Sequence, residues 1–135
     1  MRIRIRTVNL LYSLTLQTRS LYCFSKLYQL FIENGVKTIP KDIFNLLEPV
    51  ALAHWIQGDG KYVASGGLRL CTDSYTIQDV VRLMNVLMVR YELICTVHKS
   101  QPGQYQIFIS KKSMDKLRSI VKPHMVPSML YKIHL

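Results

Sequence analysis

Three features of the sequence predict an α+β protein with helices on one face of an antiparallel sheet. Short stretches alternate apolar and polar residues at strand period, and they come in pairs separated by turn residues. Stripes of large apolar residues recur at helical spacing around those pairs. From Pro49 onward the signals follow the order helix, two strands, helix, two strands, helix, so that neighbouring strands pair as hairpins while the helices return over the same side.

The elements follow in order. Met1-Arg2-Ile3-Arg4-Ile5-Arg6 alternates charge with isoleucine as a basic strand does, and lacks both the apolar core of a secretory signal and the length and serine content of a transit peptide. Ser13 to Gln17 reads as a second strand. Ser20 is placed to cap a helix that carries Leu21, Phe24, Leu27, Tyr28 and Phe31 on one face and ends at Asn34-Gly35. This succession is echoed by Gln106-Ile107-Phe108-Ile109-Ser110-Lys111-Lys112-Ser113-Met114, where a strand and a serine again lead into a helix, striped by Met114, Leu117, Ile120 and Val121 and stopped before Pro123. The echo extends loosely from Lys37-Thr38-Ile39-Pro40 to His124-Met125-Val126-Pro127.

Between the echoes lies one complete unit. Pro49 suits the first turn of a helix, where its missing N–H is no loss, and Ala51 to Ile56 supply small and bulky apolar groups before Gly60 ends it. Lys61 to Val63 and Leu68 to Thr72 form a hairpin around Ala64-Ser65-Gly66-Gly67. Thr76 and Asp79 make a capping-box pattern for a helix striped by Ile77, Val80, Val81, Met84, Leu87 and Met88. Ile94 to Lys99 and Gln104 to Ile109 form a second hairpin across Pro102-Gly103. Alternation puts Cys95, Val97, Tyr105, Ile107 and Ile109 on the helix-covered face and Thr96, His98, Ser100, Gln104, Gln106 and Phe108 on the other. Arg69 shares a face with Cys71, opposite Leu68, Leu70 and Thr72.

Lys and Arg number 18 against 8 Asp and Glu in 135 residues, a formal charge of +10. Such a field attracts polyanions and makes binding salt-sensitive; a membrane surface would also answer to it, but no apolar run is long enough to span a bilayer. Cys23, Cys71 and Cys95 are odd in number and widely spaced, which excludes a disulfide framework and a zinc knuckle and leaves core thiols. His98, His124 and His134 have no metal-ligand spacing. Asp73 and Asp79 read as turn and cap residues.

The chemistry concentrates in Leu52-Ala53-His54-Trp55-Ile56-Gln57-Gly58-Asp59-Gly60, an apolar helix that ends on a carboxylate. The segment resembles the motif of the LAGLIDADG homing endonucleases at Leu52, Ala53, Ile56, Asp59 and Gly60. It departs at His54, Trp55, Gln57 and Gly58, which stand at a glycine, a leucine, the first aspartate and an alanine. Residues 46–135 match the αββαββα repeat of that family, and residues 1–45 resemble the end of a preceding repeat whose motif helix is absent. The resemblance implies that Asp59, with the backbone carbonyl of Gly58, binds Mg²⁺ and that Leu52, Ala53, Trp55 and Ile56 form a helix interface. It implies further that Lys37, before Thr-Ile-Pro, and Lys132, in Tyr-Lys-Ile, line the active centre beside Asp59 as catalytic residues. Double-stranded DNA is the implied substrate. A two-stranded ribbon fits the major groove, so Arg69, His98, Gln104 and Gln106 are candidate base readers, with Lys61, Lys111 and Lys112 as further DNA contacts.

One Asp59 supplies half of a paired metal site, so the resemblance leaves a homodimer or a separate first repeat to provide the other. It also leaves two further classes open: a maturase that binds its own intron RNA, and an inactive DNA-binding remnant. Family members of this variant type are common in fungal mitochondria, which implies a mitochondrial address; the absence of an import signal fits synthesis inside the organelle.

Overall fold

A computed structural model describes residues 2–8 and 11–135. Met1, the first residue of the expected basic strand, lies outside them. Strands β1 (Arg2–Val8) and β2 (Leu11–Gln17) pair antiparallel from Arg2 opposite Gln17 to Val8 opposite Leu11. Helix α1 (Tyr22–Phe31) follows, then a two-residue hairpin of β3 (Ile32–Glu33) and β4 (Val36–Lys37) turning on Asn34 and Gly35, both at positive φ. Ser20 does not cap α1: its N-cap is Leu21, with no side-chain bond. The apolar stripe expected on this helix forms but is not covered, and Leu21, Phe24, Leu27 and Tyr28 are exposed.

A short helix α2 (Ile43–Leu46) leads into α3 (Pro49–Asp59), with Pro49 in the first turn as expected. Four strands then build one antiparallel sheet in the order β5-β6-β8-β7: β5 (Gly60–Tyr62), β6 (Leu68–Cys71), β7 (Cys95–Gln101) and β8 (Gln104–Ile109). Between the hairpins runs α4 (Ile77–Arg90), capped by the Thr76 hydroxyl, which accepts the Asp79 N–H at 3.3 Å. Helix α5 (Met114–Val121) and 3₁₀ turns over Lys122–His124 and Pro127–Ile133 close the chain. Ser113 precedes α5 without capping it; its hydroxyl accepts the Ile94 N–H at 2.8 Å and ties the helix to the start of β7.

The core lies between the sheet and α3, α4 and α5. Leu68, Leu70, Ile107 and Ile109 project from one sheet face and are fully buried against Leu52, Ile56, Val80, Leu87 and Leu117. Among the described residues Ile39 is the first to enter this core. On α4, Leu83 and Val86 are buried where Val81 and Met88 were expected; those two are exposed because the burying arc is centred on Val80, Leu83 and Leu87. Of the cysteines only Cys95 is a core thiol, its pKa pushed up to about 12 by burial; Cys71 is half-buried and Cys23 exposed.

The segment joining the two parts of the chain is held on α4 through its carbonyls. Arg82 donates to the Ile39 oxygen at 2.8 Å, Arg90 to the Phe44 and Asn45 oxygens, and the Tyr91 hydroxyl to the Leu47 oxygen at 2.5 Å. These bonds fix how α3 enters the fold.

Candidate active site

Helix α3 ends where a side chain can no longer be accommodated. A Cβ on Gly60 would run into the Ile56 carbonyl oxygen, so glycine lets the chain turn directly from the helix into β5. The last helical residue, Asp59, is thereby left exposed at the mouth of an open groove of about 540 Å³ lined by Gly58, Lys61, Tyr62, Cys71, Tyr131 and Lys132. A carboxylate at a helix C-terminus faces the negative end of the dipole, and a cation is needed nearby. Lys132 supplies it, donating from Nζ to the Gln57 carbonyl at 2.6 Å and lying 3.5 Å from that of Gly58.

Lys132 is held there by the C-terminal tail. The Gln57 side-chain oxygen accepts the Val126 N–H at 2.9 Å, Arg118 Nε donates to the Ile133 carbonyl at 2.8 Å, and the His134 ring bonds the Gly67 carbonyl at 2.8 Å while resting on Tyr62. Gln57, at a departure from the motif, thus uses both oxygens to seat the tail, a role invisible in the sequence because its partners lie some seventy positions away.

The structure therefore brings Asp59 and Lys132 together but not Lys37, which does not line this groove. Lys37 stands in β4 with its ammonium 4.7 Å from the centre of the Tyr75 ring, held to α1 by the adjoining Thr38 N–H on the Phe31 carbonyl. Among the described residues no three His, Cys, Asp or Glu side chains gather as a metal cage. Asp59 and the Gly58 carbonyl are hard oxygen donors of the kind that suits Mg²⁺, and they make a partial set.

The expected helix interface needs correcting. Leu52, Ala53 and Ile56 are fully buried in the chain's own core and offer nothing to a second helix. Trp55 is half-buried, lining an apolar hollow with Phe31, Ile39, Leu47 and Tyr75. A helix apolar nearly all round does not reveal which arc faces inward. The open arc of α3 is Val50, His54 and Gly58, and a Cβ at Gly58 would meet nothing within 4 Å.

The sheet face away from the helices carries two rows. Lys61, Arg69, Phe108 and Thr96 lie across the four strands in register, and Cys71, Gln106 and His98 form the next row. Arg69 thus joins the outward set. Its Nε is enclosed with no hydrogen-bond partner. His98 shares a 2.9 Å hydrogen bond with Thr96 and lies 5.5 Å, ring to ring, from Phe108. Gln104 is half-buried at the hairpin end. Gln106 keeps to the outward face but is 7% exposed, its amide nitrogen bonded to both carboxylate oxygens of Asp73 at 3.0 and 2.8 Å. Asp73 is accordingly more than a turn residue; Ser100 also donates to it at 2.6 Å, and these bonds, aided by the charge of Lys61, hold its carboxyl below the ordinary 3.8 against a smaller opposing effect of burial.

Cations divide between the two sides. On the helix side Arg82, Lys116 and Arg118 form ion pairs with Asp79, Glu92 and Asp115. Among the described residues Lys61 and Arg69 on the outward sheet face, and the exposed Lys111 and Lys112 beyond β8, form none.

The profile of the LAGLIDADG DNA endonuclease family matches residues 2–117. The chain belongs to that family. Among its LAGLIDADG relatives, a cytochrome b mRNA maturase bI2 of Debaryomyces hansenii is 39% identical over 111 residues, covering 82% of this chain and 42% of the relative. An intron-encoded endonuclease ai4 of Dictyostelium discoideum is 37% identical over 112 residues, covering 82% of this chain and 70% of that protein. The homing endonuclease I-WcaI, solved bound to its DNA recognition sequence, superposes with a TM-score of 0.83 at 27% identity over 98% of this chain and 62% of its own. The chain therefore spans less than half of one relative and under two thirds of the solved structure. LAGLIDADG endonucleases are generally divalent-metal dependent.

Proposed function

We propose that this chain is the second repeat, residues 46–135, and the closing part of the first, residues 1–45, of a homing endonuclease that hydrolyses both strands of duplex DNA at a long recognition site. The observation that carries the reading is the exposed Asp59 beside Lys132 in a groove that opens next to a sheet face of unpaired cations. The relatives named as intron-encoded endonucleases and the likeness to I-WcaI support it.

Asp59 and the Gly58 carbonyl would hold Mg²⁺, which when bound supplies Lewis-acid stabilisation of the phosphate and activation of water. The remaining steps belong to side chains. Lys132 lines the same groove as the carboxylate and stabilises negative charge building on the phosphate or orders the attacking water. Lys37 has the same task for the half of the site that the first repeat would complete. Lys61, Arg69, Lys111 and Lys112 contact phosphates or bases, while His98, Gln104 and Gln106 face the base edges of the major groove.

The arrangement needs a second aspartate. The open arc of α3, with the small Gly58 at its end, is where a second motif helix would approach, whether from a first repeat or from another copy of the chain. The chain alone is expected to cleave weakly or not at all. The deciding experiment supplies an intact first repeat in trans, Mg²⁺ and the intronless coding junction as duplex. Cleavage that Asp59→Asn removes while DNA binding persists supports the reading; no cleavage under these conditions defeats it.

The relatives named as cytochrome b mRNA maturases favour a second reading, a chain that binds its intron RNA and assists splicing. RNA binding that survives Asp59→Asn, with no DNA cleavage, would select it over an inactive remnant. Their naming for cytochrome b mRNA also supports a mitochondrial location.

A further inference from the structure

Gln106 is the most enclosed polar side chain on the outward sheet face, and its surroundings determine which end of its amide is available. A carboxylate only accepts hydrogen bonds, so the group that Gln106 turns to Asp73 must be its NH₂. Both Asp73 oxygens lie within 3.0 Å of that nitrogen. The arrangement is braced from either side: Ser100 donates to Asp73 Oδ1 at 2.6 Å, and the neighbouring Thr72 hydroxyl donates to the Tyr105 carbonyl at 2.6 Å, locking the turn after β6 onto β8. The Gln106 carbonyl oxygen has no partner among the described residues, and the buried side-chain polar atom left without one among them is Arg69 Nε. The Gln106 oxygen therefore reaches solvent on the outward face.

We infer that Asp73 is a positioning residue that orients the Gln106 amide with its carbonyl outward, selecting a base that presents an amino group in the major groove, adenine N6 or cytosine N4. A free glutamine reads adenine through both ends of its amide, donor to N7 and acceptor from N6. Here Asp73 holds the amino end across 33 residues of sequence and leaves the carbonyl to the outward face, and guanine and thymine, which offer only acceptors along their major-groove edges, cannot donate to it. This inference rests on the reading of the sheet as a DNA-contacting face, and its test separates the two.

The full chain is equilibrated with a library of random-sequence duplexes and the bound fraction is sequenced, for the wild type, Asp73→Asn and Gln106→Ala. Asparagine keeps the shape of the turn while offering both a donor and an acceptor, so either orientation of the Gln106 amide is satisfied. The wild type is expected to favour adenine or cytosine by about three- to tenfold at one position, the range of a single neutral hydrogen bond. Asp73→Asn should lose that preference at that position alone. The clamp itself is read without DNA, by nuclear magnetic resonance. The Gln106 side-chain NH₂ signals, assigned by their loss in Gln106→Ala, should be displaced in the wild type and move toward ordinary positions in Asp73→Asn. An Asp73→Asn profile identical to the wild type, while Gln106→Ala loses the preference, would overturn the role of Asp73 and leave base reading intact, as would unshifted NH₂ signals in the wild type. A wild type that enriches no base at any position would remove base reading and this inference together.

Discussion

Helices α1 and α5 carry similar apolar stripes and follow similar strand-and-serine lead-ins, yet they end in opposite environments. Met114, Leu117 and Val121 of α5 are buried beneath α3, whereas no residue of α1 is buried and Leu21, Phe24, Leu27 and Tyr28 face solvent. The comparison separates two things a periodic sequence encodes. Spacing specifies that a helix will have an apolar face; only another element, many residues away or on another chain, can make that face worth having.

The comparison breaks most visibly under truncation of one leucine from each stripe. Leu117→Ala, in the filled core, should cost about 2–5 kcal/mol by urea denaturation. Tyr91→Phe should cost about 1–3 kcal/mol, because it leaves the buried Leu47 carbonyl without its donor, and the loss should appear in the same transition if the joining segment unfolds with the second repeat. Gly58→Ala should raise the stability of the chain alone by about 0.5–1 kcal/mol, since a Cβ there meets nothing. The larger Gly58→Leu should be tolerated alone but prevent assembly with an added first repeat in sedimentation. Smallest is Leu27→Ala, expected to change stability by less than about 0.5 kcal/mol in the chain alone. If Leu27→Ala instead matches Leu117→Ala, α1 is already covered in solution and the contrast dissolves; if its cost rises only when the first repeat is added, the missing segment is what covers it.

Much of residues 46–135 was legible because the signals there are local. Pro49 and Gly60 bound the motif helix, Thr76 caps α4, and the glycines at 66, 67 and 103 take positive φ in the hairpin turns. Strand alternation assigned the outward face of the second hairpin, whereas the side of Arg69 followed only from its register with Phe108. What escaped depends on residues far apart. Leu52 and Ile56 were read as interface because an apolar helix shows no inward arc until its neighbours are in place. The partner of Gln106 stands 33 residues earlier, and Gln57 binds the tail through its main chain as well as its side chain. Of the candidate site, Asp59 was read from the end of a helix and Lys132 from a family resemblance, and their adjacency required the tail; Lys37 was placed with them by resemblance and lies instead at Tyr75.

The grip of α4 on the joining segment has an evolutionary side. Arg82, Arg90 and Tyr91 hold Ile39, Phe44, Asn45 and Leu47 by main-chain oxygens, which every amino acid possesses. The joint reads the path of the chain and is indifferent to most of its letters. Such a seam lets one half of a gene drift, or be exchanged by recombination, while the other half still knows where to receive it. A chimera that grafts a foreign first repeat upstream of Ile39 should therefore dock on this α4 without compensating changes there.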